Sequence, residues 1–351
     1  MNITFLIGNG FDIGLGLKTG YKDFYNYFIN SPEAEDNMIR RQIEKDKLAN
    51  KYDKWSDLEF ALGEYTKEVC EDTYENFAND KINLDKLLAN YIKEEREKFI
   101  FENGNLREFV IDALDQIRNW ESKKESELVK RIFDTYKNEQ FYYQSINFNY
   151  TDCFDCFFEA VKVGNANIGT HYAENGTSQL ETIKDILHIH GELDGKEMIL
   201  GVNDETQIKN IELLESTDIR ELLIKADLNS MIGQGKIEEA RRIIDKSGII
   251  CLYGVSLGDT DKMWWKYIGE WLKQSEYRIL IIYNYNPKYK GGHPYEDNRY
   301  KNSIKDRFLT QAEVEVLDEG VKKKIKERIL IGINKNIFEF STQVANKCDA
   351  V

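Results

Sequence analysis

The chain has 351 residues, enough for two domains or for one large α/β domain with an insertion. Hydrophobic residues make up 41% of the sequence and aromatic residues 12%, so we expect a packed core and exclude global disorder. With 48 basic and 62 acidic residues, the net charge of −14 argues against long nucleic acid or an anionic membrane as the main partner. The net charge does not exclude a small anionic ligand that is held by backbone amides.

The start of the chain does not resemble a signal peptide, because residues 1–7 carry no basic segment and run directly into glycines. No stretch of about 18 apolar residues occurs, so no membrane span is expected. The five cysteines are odd in number and scattered, which suits a reducing compartment better than a disulfide framework. These features predict a cytoplasmic protein.

The hydrophobic pattern predicts strands that alternate with helices. A buried strand over 2–7 leads into a glycine-rich stretch, and a helix begins near residue 21. Residues 31–138 are rich in charged, helix-forming residues with apolar side chains at helical spacing, which predicts a helical insertion. Strands are predicted over 141–149, 186–190, 198–201, 249–253 and 279–283, and helices over 152–162, 207–245 and 261–274.

This alternation predicts an α/β fold with a doubly wound parallel sheet and helices on both faces. The predicted core comprises 1–30 and 139–290, with the helical insertion at 31–138 and a mixed α/β extension at 291–351. Ligands in such sheets bind at the carboxyl ends of strands. Six polar segments follow predicted strands here, namely 8–12, 149–152, 190–191, 201–204, 254–261 and 284–286.

The segment Gly8-Asn9-Gly10 is the first half of a dinucleotide-binding loop, in which glycines let the backbone approach phosphate. A tight strand-to-helix turn explains the same residues equally well. Asp12 is interpreted either as an N-cap or as an acceptor for ribose hydroxyls. Because only a loop changes, we expect Gly10→Val to block a ligand while the fold survives.

Two polar segments have a structural alternative. Asn149 is a candidate to orient a water or a sugar hydroxyl, although it also suits a turn before a helix capped by Thr151 or Asp152. Ser56 and Glu59 have the spacing of a capping box, and we favour that interpretation over catalysis.

Half of the four histidines lie in His188-Ile189-His190, at the carboxyl end of a predicted strand. We favour His190 as a general base, with His188 as a packed residue on the same strand face. No third ligand is marked by spacing, so no metal is predicted. Cys153 and Cys156 have metal-like spacing on an apolar helix, which favours core packing.

The last glycine-rich segment, 254–261, also follows an apolar strand. Gly254 and Ser256 are candidates to hold a ribose or a phosphate, and Asp259 or Thr260 suits the N-cap of the next helix. The two interpretations are compatible.

Taken together, the ordered segments resemble the AbiH family of bacteriophage abortive infection proteins. The set is specific, although each piece alone is not. The segments are 5–12 (FLIGNGFD), 55–59 (WSDLE), 148–151 (FNYT), 188–191 (HIHG), 199–204 (ILGVND) and 253–261 (YGVSLGDTD).

That family is distantly similar to sirtuin-like NAD-binding proteins, which implies a sirtuin-like, Rossmann-type fold with NAD as ligand or substrate. The arginine that follows Asp-Phe in sirtuins is Tyr25 here, and the four zinc cysteines are missing, which argues against protein deacylation. By this resemblance, Asn149 and His190 lie at the nicotinamide ribose. The remaining NAD-binding residues are then Gly8, Asn9, Gly10, Phe11, Asp12, Asp23, Gly254, Ser256 and Asn284.

The resemblance implies an antiphage effector that hydrolyses NAD at the nicotinamide–ribose bond and needs no metal. Two alternatives stay open: a non-catalytic NAD or nucleotide sensor that gates a partner, and a toxin of another class. The resemblance also implies a phage trigger, which the sequence does not identify. Whether the protein forms a homo-oligomer stays open. We expect the helical insertion to lie outside the catalytic core and to serve regulation or self-association.

Overall fold

A seven-stranded β-sheet forms the centre of the molecule. The computed structural model describes residues 1–49, 57–100, 106–163, 165–193, 198–232, 235–314 and 318–338. The inner strands are nearly continuous apolar runs, as expected for strands covered on both faces. The strands are β1 (Asn2–Ile7), β2 (Phe141–Asn147), β3 (Asn167–Tyr172), β4 (Ser178–His188), β5 (Ser247–Tyr253), β6 (Ile279–Asn284) and β7 (Ile329–Ile333).

The strand order is β3-β4-β2-β1-β5-β6-β7. Neighbouring strands are parallel except in the β3–β4 pair, which is antiparallel. In the centre, Ile3 of β1 pairs with Tyr143 of β2 and with Ile249 of β5. Starting from β1 at the centre, β2 and β4 lie successively farther out on one side of the sheet. β5, β6 and β7 lie successively farther out on the other side. The strand order therefore reverses between β1 and β5. In sheets of this kind a ligand crevice lies at that point, at the carboxyl ends of the strands.

Helices connect most of the strands. None of the helices in the described ranges is long and apolar enough to cross a bilayer. In chain order the helices are α1 (Gly10–Gly14), α2 (Tyr21–Asn30), α3 (Met38–Leu48), α4 (Leu58–Tyr65), α5 (Tyr74–Glu97), α6 (Leu106–Asp115), α7 (Lys123–Thr135), α8 (Cys153–Lys162), α9 (Thr217–Leu223), α10 (Lys225–Ile232), α11 (Lys236–Asp245), α12 (Lys262–Gln274), α13 (Pro294–Gln311) and α14 (Glu319–Glu327).

Two helical layers cover the sheet. On one face, α6, α7 and α8 bury apolar side chains against alternate residues of the strands, among them Phe5 and Cys251. On the other face, α11 to α14 pack against the intervening residues, among them Leu6 and Leu252. Successive strand residues point to opposite faces, so one apolar run supplies both cores. The mixed parallel sheet and its two helical layers agree with the predicted α/β class.

A third apolar cluster lies apart from the two sheet faces. It joins α2 to α5 with the segment 200–224, and the apolar stripe of α5 that contains Leu84, Leu87 and Leu88 is buried in it. The predicted insertion 31–138 therefore has two parts. Its first helices build this third core, whereas α6 and α7 cover the sheet itself.

Several predicted elements differ from those observed. The strands predicted over 2–7, 249–253 and 279–283 are present. The strand predicted over 186–190 is the end of the longer β4, and 198–201 is not a strand. The sequence analysis also missed β3 and β7. β7 completes the sheet from within the segment predicted as a C-terminal extension.

Candidate active site

A cleft of about 500 Å³ lies at the carboxyl edge of the sheet, beside the point where the strand order reverses. Its walls include the loops that follow β1, β2 and β5, together with His190 just beyond β4. The volume is in the range of sites that hold a cofactor-sized molecule. The position agrees with the expectation that polar segments at strand ends converge.

The helical insertion supplies part of the wall of the same cleft. Asp57 and Glu59 of the α4 region and Ile92 of α5 line it, as does Tyr21 at the start of α2. The expectation that the insertion lies outside the candidate site is therefore wrong. A deletion of the insertion would open the cleft as well as alter any regulation.

The glycines of the first loop are needed where two loops meet. The Gly10 N–H donates to the Gly254 carbonyl at 2.8 Å, and the Gly8 N–H donates to the Tyr253 carbonyl at 3.0 Å. A Cβ atom at Gly10 would lie 2.7 Å from the Gly254 Cα atom. Gly254 itself has φ +68°, in the left-handed region that favours glycine. The expectation that Gly10→Val spares the fold is therefore wrong, because the side chain would push the two loops apart.

Asp12 fixes the side chains that follow β2. Its Oδ2 atom accepts a hydrogen bond from the Thr151 hydroxyl at 2.7 Å, and its Oδ1 atom accepts one from the Asn149 amide at 3.2 Å. The residue is only 1% exposed. Burial raises the pKa of Asp12 to about 7, although both hydrogen bonds favour the carboxylate. Asp12 lies inside α1 rather than at its N-cap, so its carboxyl group is available to position Asn149.

Asn149 lines the cleft and has one unused hydrogen-bond acceptor. Its Nδ2 group donates to Asp12, its backbone N–H donates to the Asn147 side chain at 3.0 Å, and its carbonyl pairs with a ring nitrogen of His188 at 3.1 Å. Its Oδ1 atom is buried and has no hydrogen-bond partner among the described residues. An unsatisfied buried acceptor costs roughly 1–3 kcal/mol, so a hydroxyl or water donor from a ligand would be stabilised there.

His190 lines the cleft as a neutral imidazole. Its ring packs edge-on against Phe148 with the centroids 5.3 Å apart, and its Nε2 atom lies 3.5 Å from Asp261 Oδ1. Burial and the nearby Lys225 ammonium lower the pKa of His190 to about 3, even though Asp261 opposes them. A base of this strength takes up a proton poorly at neutral pH. The side chain is better suited to hydrogen bonding than to proton transfer.

A buried charge cluster joins three distant parts of the chain beside His190. The Lys225 ammonium donates to Glu59 Oε2 at 2.9 Å, to Asp261 Oδ1 at 2.8 Å and to the Thr260 carbonyl at 3.2 Å. Although burial opposes charge, the two carboxylates raise the pKa of Lys225, and the ammonium lowers that of Asp261. Burial raises the pKa of Glu59 despite the ammonium. Glu59 therefore lines the cleft with a carboxyl group whose pKa is shifted toward neutrality.

The predicted capping box at the start of α4 pairs Glu59 with Ser56. Trp55 and Ser56 lie outside the described residues. Asp57 caps the helix, since its Oδ1 atom accepts a hydrogen bond from the Phe60 N–H at 3.1 Å. The Glu59 carboxylate pairs with Lys225, and the capping interpretation favoured over catalysis, which needs Ser56, stays a prediction.

His188 and His190 contact different groups. The Nε2 atom of His188 lies 2.9 Å from Asp155 Oδ1 on α8, whereas His190 approaches Asp261. β4 ends at His188, so the alternation of strand faces does not extend to His190. His188 is 4% exposed and does not line the cleft, as expected of a packed residue.

The structure brings most, but not all, of the predicted site residues together. Phe11 packs against Phe154 and Phe157 in the core, with ring centroids 5.1 and 5.3 Å away. Asp23 lies in the first turn of α2, and Asn284 accepts a hydrogen bond from the Tyr300 hydroxyl. These three predicted residues do not line the cleft. Those that do are Gly8, Asn9, Gly10, Asp12, Asn149, His190, Gly254 and Ser256.

The two cysteines of α8 have different surroundings. Cys153 is buried in the core, as predicted, whereas Cys156 is partly exposed and its sulfur lies 3.4 Å from the Arg96 guanidinium. Within the described ranges, no three His, Cys, Asp or Glu side chains are grouped as metal ligands would be.

Five charged residues at or beside the cleft were not predicted as site residues, namely Asp57, Glu59, Asp261, Lys225 and Arg307. Glu59 and Asp261 each lie within one of the segments that carry the family resemblance, so that resemblance was a usable signal. Lys225 and Arg307 lie in charged helical sequence and carry no local signal. Arg307 reaches the cleft from the last turns of α13.

The fold and cleft define an α/β protein with a candidate ligand site at the carboxyl edge of a mainly parallel sheet. A family model described as bacteriophage abortive infection AbiH matches residues 4–283, which is most of the chain. The protein therefore belongs to the AbiH family. No curated protein matches the chain significantly.

Proposed function

We propose that the protein is an abortive-infection effector that hydrolyses NAD at the nicotinamide–ribose bond. The observation that carries the proposal is that Asn149 lines the cleft and that its buried Oδ1 atom has no hydrogen-bond partner in the described structure. Membership of the AbiH family supports a role in abortive infection.

The topology supports a dinucleotide as the ligand. The six parallel strands, numbered along the chain without β3, have the order 3-2-1-4-5-6, which is that of Rossmann dinucleotide-binding domains. Such domains bind their ligand where the strand order reverses, and the cleft lies there. This supports the Rossmann-type, sirtuin-like relationship inferred from the sequence motifs.

Asn149 is the residue proposed to hold the reacting end of NAD. Asp12 accepts from its Nδ2 group and thereby turns Oδ1 toward the ligand. A hydroxyl of the nicotinamide ribose, or the attacking water, would donate to this atom. The leaving nicotinamide departs as a neutral molecule, so the site needs no acid to expel it. Placement of the ribose and of the water is then the main contribution of the site.

The proton of the attacking water needs an acceptor, and Glu59 is proposed for this step. Water adds to the anomeric carbon, the bond to nicotinamide breaks, and Glu59 takes the proton that the water loses. Glu59 has a pKa raised toward neutrality, whereas that of His190 is about 3. His190 is therefore proposed to orient a hydroxyl or the water as a neutral partner.

Nicotinamide release by the purified full chain tests the proposal. Asn149→Ala should reduce release from NAD by roughly 100-fold, because it removes the oriented acceptor. Asn37→Ala is the matched control. Asn37 is similarly buried but caps α3, so its loss should lower stability and leave release unchanged.

Three outcomes separate the alternatives. Release that depends on Asn149 supports hydrolysis. Tight binding of NAD without release would replace hydrolysis by a sensor function. A wild-type chain that neither binds nor cleaves NAD, yet protects cells from phage, would overturn the proposal and favour a toxin of another class.

A further inference from the structure

The cleft has an uneven distribution of charge. Four carboxyl side chains line it, from Asp12, Asp57, Glu59 and Asp261. Arg307 is the only arginine or lysine that lines it in the described part of the chain. Lys225 lies behind the wall and is already paired with two of the carboxylates. Within the described lining, Arg307 is therefore the one unpaired lysine or arginine that an anionic group of a ligand would meet.

Arg307 is held against the loop that follows β5. Its Nη2 group donates to the Leu257 carbonyl at 3.2 Å, and the side chain is otherwise exposed. A guanidinium has five N–H groups in a planar fork that matches phosphate oxygens, so donors remain for a ligand. The same loop contributes Gly254 and Ser256 to the cleft. Arg307 and this loop therefore bring a cation and the Ser256 hydroxyl group to the cleft.

We propose that Arg307 binds the phosphate groups of the nucleotide and so sets its direction in the cleft. This inference rests on the proposed function. In the proposed binding mode the pyrophosphate lies beside Arg307, and the positively charged nicotinamide ring lies toward the carboxyl groups of Asp12 and Glu59. A ligand that carries a cation at one end and phosphate in its middle is complementary to this charge distribution. The inferred substrate class is a phosphate-bearing pyridinium nucleotide.

The test compares two substrates that share the scissile bond. NAD carries the pyrophosphate, whereas nicotinamide riboside carries none. Arg307→Gln should raise the KM for NAD by about 10-fold with little change in kcat, and should leave the kinetics of nicotinamide riboside unchanged. Arg307→Lys keeps a point charge and should recover part of the loss.

Arg299→Gln is the matched control, because Arg299 is exposed on the same helix but does not line the cleft. It removes the same charge and should change neither KM. An unchanged KM for NAD in Arg307→Gln would overturn the inference and leave Arg307 as a contact between α13 and the loop. An equal loss on both substrates would also overturn it, since that result indicates a structural effect.

Binding of inorganic pyrophosphate distinguishes this inference from the proposed hydrolysis. Calorimetry should detect pyrophosphate binding to the wild type and to Arg299→Gln, and at least about 10-fold weaker binding to Arg307→Gln. If the wild type binds pyrophosphate through Arg307 but releases no nicotinamide, the proposal of hydrolysis is refuted and the proposal of a phosphate site is supported. If pyrophosphate binds all three proteins equally, or none of them, the phosphate site is refuted whatever the activity.

Discussion

Asp12 couples the stability of the protein to pH. Its carboxyl group is almost fully buried, and burial raises its pKa from 3.8 to about 7. Between these two pH values the folded chain keeps a proton that the unfolded chain has released. The contribution of Asp12 to the free energy of unfolding is therefore full below the lower value and is lost as the pH rises to the upper one.

The size of the effect follows from the same two values. A rise from 3.8 to about 7 corresponds to ~4 kcal/mol, since each pKa unit is worth 1.36 kcal/mol. Relaxation around the ionised group makes this an upper value. Asparagine at this position has no proton to release. The stability of Asp12→Asn relative to wild type should therefore increase by up to ~4 kcal/mol between about pH 4 and about pH 7.

Urea unfolding of both proteins over this pH range measures the difference. Comparing the variant with wild type cancels the other titrating groups, Glu59 and His188 among them. A difference in unfolding free energy that stays constant from about pH 4 to about pH 8 would refute the reasoning, because Asp12 would then titrate near its ordinary pKa.

The same titration should affect the proposed activity in the opposite direction. Ionised Asp12 accepts a hydrogen bond from the Asn149 amide and leaves Oδ1 for the ligand. A protonated carboxyl group would donate to Oδ1 after rotation of the amide and would occupy the acceptor. Nicotinamide release should therefore fall below about pH 7 while stability rises. Asp12→Asn, which also donates to Asn149, should have low activity at every pH.

Two further substitutions test the contact between the glycine loops and the proposed proton acceptor. Gly10→Ala should destabilise the protein by about 1–3 kcal/mol in thermal unfolding, because its Cβ atom would lie 2.7 Å from the Gly254 Cα atom. Gly14→Ala in the same helix meets nothing within 4 Å and should be close to neutral, so equal losses would contradict this explanation. Glu59→Gln should lower kcat for NAD at least about 100-fold, whereas full activity would show that another group accepts the proton. Because Lys225 keeps Asp261 as a partner, the folded state of Glu59→Gln should persist in circular dichroism spectra.

The strands of the central sheet could be predicted where both faces are covered. β1, β5 and β6 are short apolar runs that end in glycine or polar residues, so their position is visible locally. β3 and most of β4 are half-exposed and polar, and they are stabilised by pairing with each other. β7 is also a buried apolar run, ILIGI, so its position could have been predicted locally, whereas its pairing with β6 could not.

The sequence by itself determined the class of fold, the family and the segments that reach the carboxyl edge, because apolar periodicity and glycine spacing are local properties. Only the tertiary structure decided which polar atoms meet. Glu59 and Lys225 are 166 positions apart, and Asp12 and Asn149 are 137 apart. It also decided that Phe11 belongs to the core, since the direction of a side chain after a strand depends on how the next helix packs. Burial and opposing charges then set the pKa values, and neither exists until the chain has folded.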